Sequence, residues 1–110
     1  MIIATRTLHL QHGERDVDVP IRIFAPETDG SAWSCGYEID WPEGTRRSTV
    51  YGVDAVQALE LALRTIGTEI YISEYHKSKL LRWEKPSQGY GFPVPNSLRD
   101  LLDGDDARFF

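Results

Sequence analysis

The sequence predicts an α+β fold, with an antiparallel sheet of four to five strands in the order ββββαβ and one long amphipathic helix packed on one face. Three stretches carry that prediction. Residues 32–41 alternate strictly, with Trp33, Cys35, Tyr37, Ile39 and Trp41 against Ala32, Ser34, Gly36, Glu38 and Asp40, the pattern of a central strand with one buried face. Residues 17–23 repeat it more briefly, with Val17, Val19, Ile21 and Ile23 opposing Asp18 and Arg22. From 54 to 73 the period changes: Val56, Leu59, Leu63, Ile66 and Ile70 recur at alternating steps of three and four, which is the spacing of one helix face.

Taken in order, residues 2–10 place Ile2, Ala4, Leu8 and Leu10 on one side, with Arg6 interrupting them. An inward charge is tolerated on an edge strand and discourages aggregation there, so an edge is expected. In the second strand Pro20 removes a ladder donor and predicts a strand margin or a bulge. Ala25–Gly30 is a turn by composition. Pro42 and Gly44 form a tight turn between the central strand and a polar fourth strand, Thr45–Tyr51, which carries Arg46 and Arg47. Asp54 is placed to cap the helix, and Gln57 three residues on completes a capping box. Ala55, Ala58 and Ala62 widen the apolar stripe, Leu63 stands at its centre, and Leu61 falls on the opposite, polar face.

Beyond the helix the signals shorten. Glu74–Ser78 is a polar break, Lys79–Lys85 reads as a fifth strand, and Asn96–Leu102 as a short helix stopped by Gly104. Gly89–Pro95 has two glycines and two prolines around Tyr90 and Phe92, which is neither helix nor regular strand. Such a segment is costly to order unless its rings dock, either on the domain's own core beside Trp83 or on a partner. The acidic end, 104–110, is expected to fray.

At 110 residues the chain is read as a single domain, long enough to bury roughly 65% of its unfolded surface. A formal charge of −5 disfavours general nucleic-acid binding, which needs a basic surface. No stretch approaches the roughly 20 apolar residues of a membrane span. The start of the chain lacks a signal-peptide pattern, and one cysteine permits no internal disulfide. The expected location is cytoplasmic, as a monomer or homodimer.

Candidate chemistry is sparse. His9 and His12 are three apart, which on a strand sends them to opposite faces and denies them a shared metal ion. Cys35 lies on the buried face, where a thiol is inert. Asp54 is a helix length, about 30 Å, from Glu74 and His76. No phosphate loop, nucleophile elbow or dinucleotide fingerprint is present. No cofactor or catalytic residue is assigned. Arg46, Arg47, Lys77, Lys79, Arg82 and Lys85 are the one concentration of positive charge, a patch for an acidic partner if the fourth and fifth strands share a side.

Three motifs, W-x-C-x-Y-x-I-D-W-P-E-G at 33–44, Y-G-V-D-A-V-Q-A-L at 51–59 and G-Y-G-F-P-V-P at 89–95, resemble a family of short bacterial proteins classed as a domain of unknown function. That resemblance implies a bacterial origin and no activity. Residues 37–66 are more weakly similar to the N-terminal domain of HicB-type antitoxins, where a strand, a proline turn and a second strand lead into an alanine-rich helix. The expected function is a non-catalytic protein-binding module, antitoxin- or immunity-like, whose surface would include Tyr90, Phe92, Trp83, Arg46 and Arg47. The alternative is a small enzyme or ligand-binding domain with a pocket lined by Trp33, Tyr37, Trp83 and Tyr90.

Overall fold

Each alternating run becomes a strand in a computed structural model of the chain, which describes residues 1–110. The strands are β1 (Ile2–His12), β2 (Arg15–Phe24), β3 (Glu27–Thr28), β4 (Trp33–Trp41), β5 (Gly44–Gly52) and β6 (Leu81–Arg82). The helices are α1 (Ala55–Tyr71), α2 (Glu74–Lys77) and α3 (Gly104–Phe109), with a 3-10 turn at Asn96–Leu101. The fold is α+β, and all strand pairs are antiparallel. Strands β1, β2, β4 and β5 form the predicted meander. β4 is central, with β5 along one side and both β2 and the two-residue β3 on the other. β6 returns across α1 to the far side of β1.

The sheet has six strands where four to five were expected, and the additional one is β3, two residues long. β3 forms inside the segment expected to be only a turn, and β6 is shorter than the expected Lys79–Lys85 strand. β1 is an edge over only part of its length. β6 pairs with His9 and Leu10 and leaves residues 2–7 without a strand on that side. Pro20 causes no bulge: it pairs with Thr7 and lies one residue before the stretch of β2 that pairs with β4, so the missing donor interrupts no ladder there.

One face of the sheet, carrying Leu8, Leu10, Val19, Ile21, Ile23, Cys35, Tyr37 and Ile39, is buried against α1. Asp54 caps that helix, accepting from Gln57 N at 2.8 Å, while Gln57 reaches back to Val53 N at 2.7 Å. The stripe that meets the sheet is Ala58, Ala62, Ile66 and Ile70, not one centred on Leu63. Small side chains at 58 and 62 let the helix axis approach the sheet, which leaves Leu59 and Leu63 half-buried on the flank and Val56 73% exposed. Leu61 is exposed at 39%, on the face expected to be polar.

Cys35 is 1% exposed, and burial raises its thiol above the ordinary value. Maleimide labelling of the native protein should therefore be slow and become complete only in denaturant. Rapid native labelling would show that β4 is not the centre of the sheet.

The acidic end, expected to fray, is helical in the structure. Residues 104–109 form α3, and its Asp106 is 2% exposed. Gly104 begins this helix, where a helix stop was expected. The preceding segment, Gly89–Pro95, fills the gap between α1 and the free stretch of β1. Arg64 Nη1 donates to Val94 O at 3.1 Å. At Gly67 the helix runs so close to this segment that any Cβ would strike the Pro93 carbonyl oxygen. Tyr90, Phe92 and Val94 are all buried.

Candidate functional site

Where the C-terminal segment meets the end of α1, an imidazole, two phenols and two carboxylates converge. Ser73 caps the short α2, accepting from His76 N at 3.2 Å, and so aims His76 back toward Tyr71. Lys79, in the left-handed region at φ 61°, redirects the chain into β6. Ser87, at φ 62°, turns it again toward Gly89. Non-glycine residues in this region of backbone space cost of order 1–3 kcal/mol each and persist only where their surroundings enforce them.

Asp106 anchors the arrangement. Its carboxylate accepts from Tyr71 Oη at 2.5 Å, from Tyr90 N at 2.8 Å and from Gly91 N at 2.8 Å. Two successive amides cradling one anion form a backbone nest. Gly89 at φ 85° permits it, since a Cβ there would run into the Asp106 carboxylate. Next to this, His76 Nδ1 lies 2.5 Å from Tyr90 Oη, and His76 Nε2 lies 3.3 Å from Asp103 Oδ2. Tyr71, His76 and Tyr90 pack edge to face around one another.

These groups open on a cleft of about 330 Å³. Tyr71, Tyr90, Leu81 and Leu101 form its apolar walls, and His76, Lys77, Lys79, Ser87 and Asp103 supply its polar groups. Burial lowers the His76 pKa from its ordinary 6.5, with Asp103 opposing in part. Burial also raises the phenols of Tyr71 and Tyr90 well above their ordinary 10. At Tyr71 the hydrogen bond to Asp106 adds to the effect, and at Tyr90 the charges of Asp103 and Asp106 do. The row Tyr90, His76, Asp103 has the order of a nucleophilic relay. Its hydroxyl is 4% exposed as part of Tyr90 and is held away from the phenolate form. The row therefore orients the imidazole and does not supply an attacking oxygen.

The lowered His76 value gives a pH dependence of definite sign. As pH falls through about 6.5, the unfolded chain binds a proton before the folded one does, so stability is complete above that pH and declines below it. Asp16, Glu38 and Asp40 have lowered values, and their contributions are lost only further down, below the ordinary carboxylate range. The urea midpoint should fall between about pH 7.5 and 5.5, and fall less in His76→Gln. An identical decline in both proteins would show that His76 is not the titrating group.

The residues expected to form a binding surface are not brought together. Only Trp83 and Phe92 share a neighbour, Arg6, whose guanidinium lies 4.0 Å from the Trp83 ring centre and 4.9 Å from that of Phe92; the Tyr90 ring packs with Tyr71 and His76. Arg6 also donates to the carbonyls of Tyr90, at 3.2 Å, and Gly91, at 2.8 Å. Tyr90 and Phe92 are 4% and 2% exposed, so their rings complete the core and present no outer surface.

Arg46 and Arg47 are at the other edge of the sheet. Being consecutive on β5 they point to opposite faces, Arg46 to Glu69 of α1 and Arg47 to Glu38 on the open face. The expected basic patch is dispersed in the same way, with Arg82 paired to Asp16 at 2.8 Å and Lys77 to Glu74 at 3.6 Å. Trp33, Tyr37, Trp83 and Tyr90 line no common pocket: Tyr37 is buried against Glu69, and Trp83 lies over Arg6. His9 faces Asp18 and His12 faces Tyr75, on opposite sides of the sheet.

The chain matches a family model described as Domain of unknown function (DUF6968) over residues 4–94. It belongs to that family. The DUF6968 span takes in the sheet apart from Ile2 and Ile3 of β1, α1 and the cleft residues Tyr71, His76, Lys79 and Tyr90, while Asp103 and Asp106 fall after it. No curated protein and no solved structure matches the chain. Nothing in the match connects residues 37–66 with the HicB-type antitoxins they resemble.

Proposed function

We propose that this domain binds a small ligand in the cleft between α2, β6 and the C-terminal segment, and that it does so without covalent chemistry. The observation that carries this reading is convergence. An oriented imidazole, two lysines and a serine surround one concavity with aliphatic and aromatic walls, a combination typical of small-molecule sites. The two left-handed residues outside glycine, Lys79 and Ser87, both line it, and strain of this kind clusters at ligand clamps. The test is an amide-shift NMR screen of the full chain with acidic, basic and neutral fragments. Ligands should shift His76, Lys79, Ser87 and Gly89 together. A complete fragment set that shifts none of them contradicts the reading.

A second reading, a protein-binding module with an antitoxin- or immunity-like role, draws on a different feature. β5 is an edge strand of nine residues, and Tyr51, Val53 and Val56 beside it are 67%, 82% and 73% exposed. An open edge next to apolar side chains is suited to strand addition by a partner. Under this reading Tyr51→Lys abolishes partner binding and leaves fragment binding in the cleft intact. Both readings are of a cytoplasmic protein.

A further inference from the structure

We infer that the ligand of the cleft is a small organic carboxylate, and that the Asp103 side chain holds its place in the free protein. This rests on the small-ligand reading above and specifies its chemistry. Asp103 supplies the single carboxylate among the residues lining the cleft, which also include His76, Lys77 and Lys79. Its Oδ2 makes one polar contact, with His76 Nε2 at 3.3 Å, long for a charge-assisted bond. Although Asp103 stands at the N-cap of α3, its carboxylate makes no cap hydrogen bond. What fixes the residue is its backbone: the N–H donates to Tyr71 Oη at 3.3 Å, and the carbonyl accepts from Asp106 N at 3.0 Å and Ala107 N at 3.3 Å. The side chain is half-exposed, so rotation about its own bonds releases it without moving α3.

The groups that share the cleft with it suit an anion. His76 is held in orientation through its other nitrogen by Tyr90 Oη at 2.5 Å. Lys79 makes no ion pair in the fold, and Lys77 has only the distant, exposed Glu74. The remaining walls, Leu81, Leu101 and the Tyr71 ring, are apolar, so the acid should carry a hydrocarbon body. A volume of about 330 Å³ is at the low end for ligand sites and limits that body to about one ring. A tethered competitor lowers the apparent affinity by the fraction of time it occupies the site. Removing its charge should therefore tighten binding of the external acid.

Phenylacetate and its neutral isostere phenylacetamide, titrated into the full chain and followed by NMR shifts, test this directly. In Asp103→Asn, phenylacetate should bind about tenfold more tightly than in the unaltered protein, the size of one charge-assisted contact. Phenylacetamide should gain nothing. Lys79→Gln, which keeps the same backbone demand, should weaken phenylacetate and leave the amide unchanged. Equal affinities for acid and amide would overturn the carboxylate assignment while leaving the cleft a ligand site. So would inorganic phosphate binding where phenylacetate does not. An Asp103→Asn protein that binds phenylacetate no better than the unaltered one would remove Asp103 as the place-holder. Absence of cleft shifts with every fragment would remove the ligand reading as well.

Discussion

Asp106→Ala is expected to lower the unfolding free energy by about 3–5 kcal/mol, the usual loss when one partner of a buried charged network is deleted. Its carboxylate is 2% exposed and holds three donors from two separate parts of the chain. Alanine would leave the Tyr71 hydroxyl and the amides of Tyr90 and Gly91 without acceptors, each at roughly 1–3 kcal/mol if water does not enter. Asp106→Asn, which keeps the shape but turns an acceptor into a donor, should fall between. Asp105→Ala is the control, since Asp105 is exposed on the same helix turn, and it should change stability by less than about 0.5 kcal/mol. Urea denaturation followed by tryptophan fluorescence measures all three. Equal losses at 105 and 106 would mean that α3 is not docked.

The second large effect is expected at Tyr90 and Phe92. Burial decides between the two destinations open to these rings: both are inside, Tyr90 against Tyr71 and His76, Phe92 under Arg6. Large aromatic-to-alanine changes in a core cost about 3–5 kcal/mol. A domain of this length has a total stability of about 5–15 kcal/mol, so the double variant should be marginally folded or unfolded at room temperature. Each single variant should remain folded with a clearly lower midpoint. Near-normal stability of the double variant would show that the segment is a surface loop and return it to the list of recognition elements.

How far these features are legible in the sequence follows from the range of the interactions that make them. The meander and α1 are readable because Trp33–Trp41 and Val17–Ile23 alternate at period two and 54–73 at period 3.6, patterns contained within a few turns of chain. The exact burial of α1 is not, because it depends on how closely Ala58 and Ala62 let the helix approach β4 and β5. β3 has two residues, too few for any period to register, while β6 keeps only Leu81 and Arg82 of the strand expected at Lys79–Lys85.

The site was largely hidden for a different reason. Composition treats Asp103, Asp105 and Asp106 alike, as a solvated acidic tail, and only the fold decides that 106 meets an amide nest while 105 faces water. Arg6 reads as an edge-strand charge until a segment more than eighty positions later, at Tyr90 and Gly91, supplies its acceptors. Pairing of His76 with Tyr90 likewise requires α2 and β6 to fold back. One signal was present: the spacing of glycines and rings in Gly89–Pro95 marked a segment whose cost had to be met somewhere. The sequence named that segment as a docking element and left its dock open.

Residues 89–110 form an integral wall of the domain, latched through Asp106, and so keep the cleft formed. Native-state hydrogen exchange at the Tyr90 and Gly91 amides reads out that latch. Both donate to a buried carboxylate, so both should exchange only through openings close in free energy to global unfolding. Exchange at the rate of an exposed loop, with the core amides of β1, β2 and β4 still protected, would mean that the segment opens freely and that neither the latch nor the cleft exists in solution.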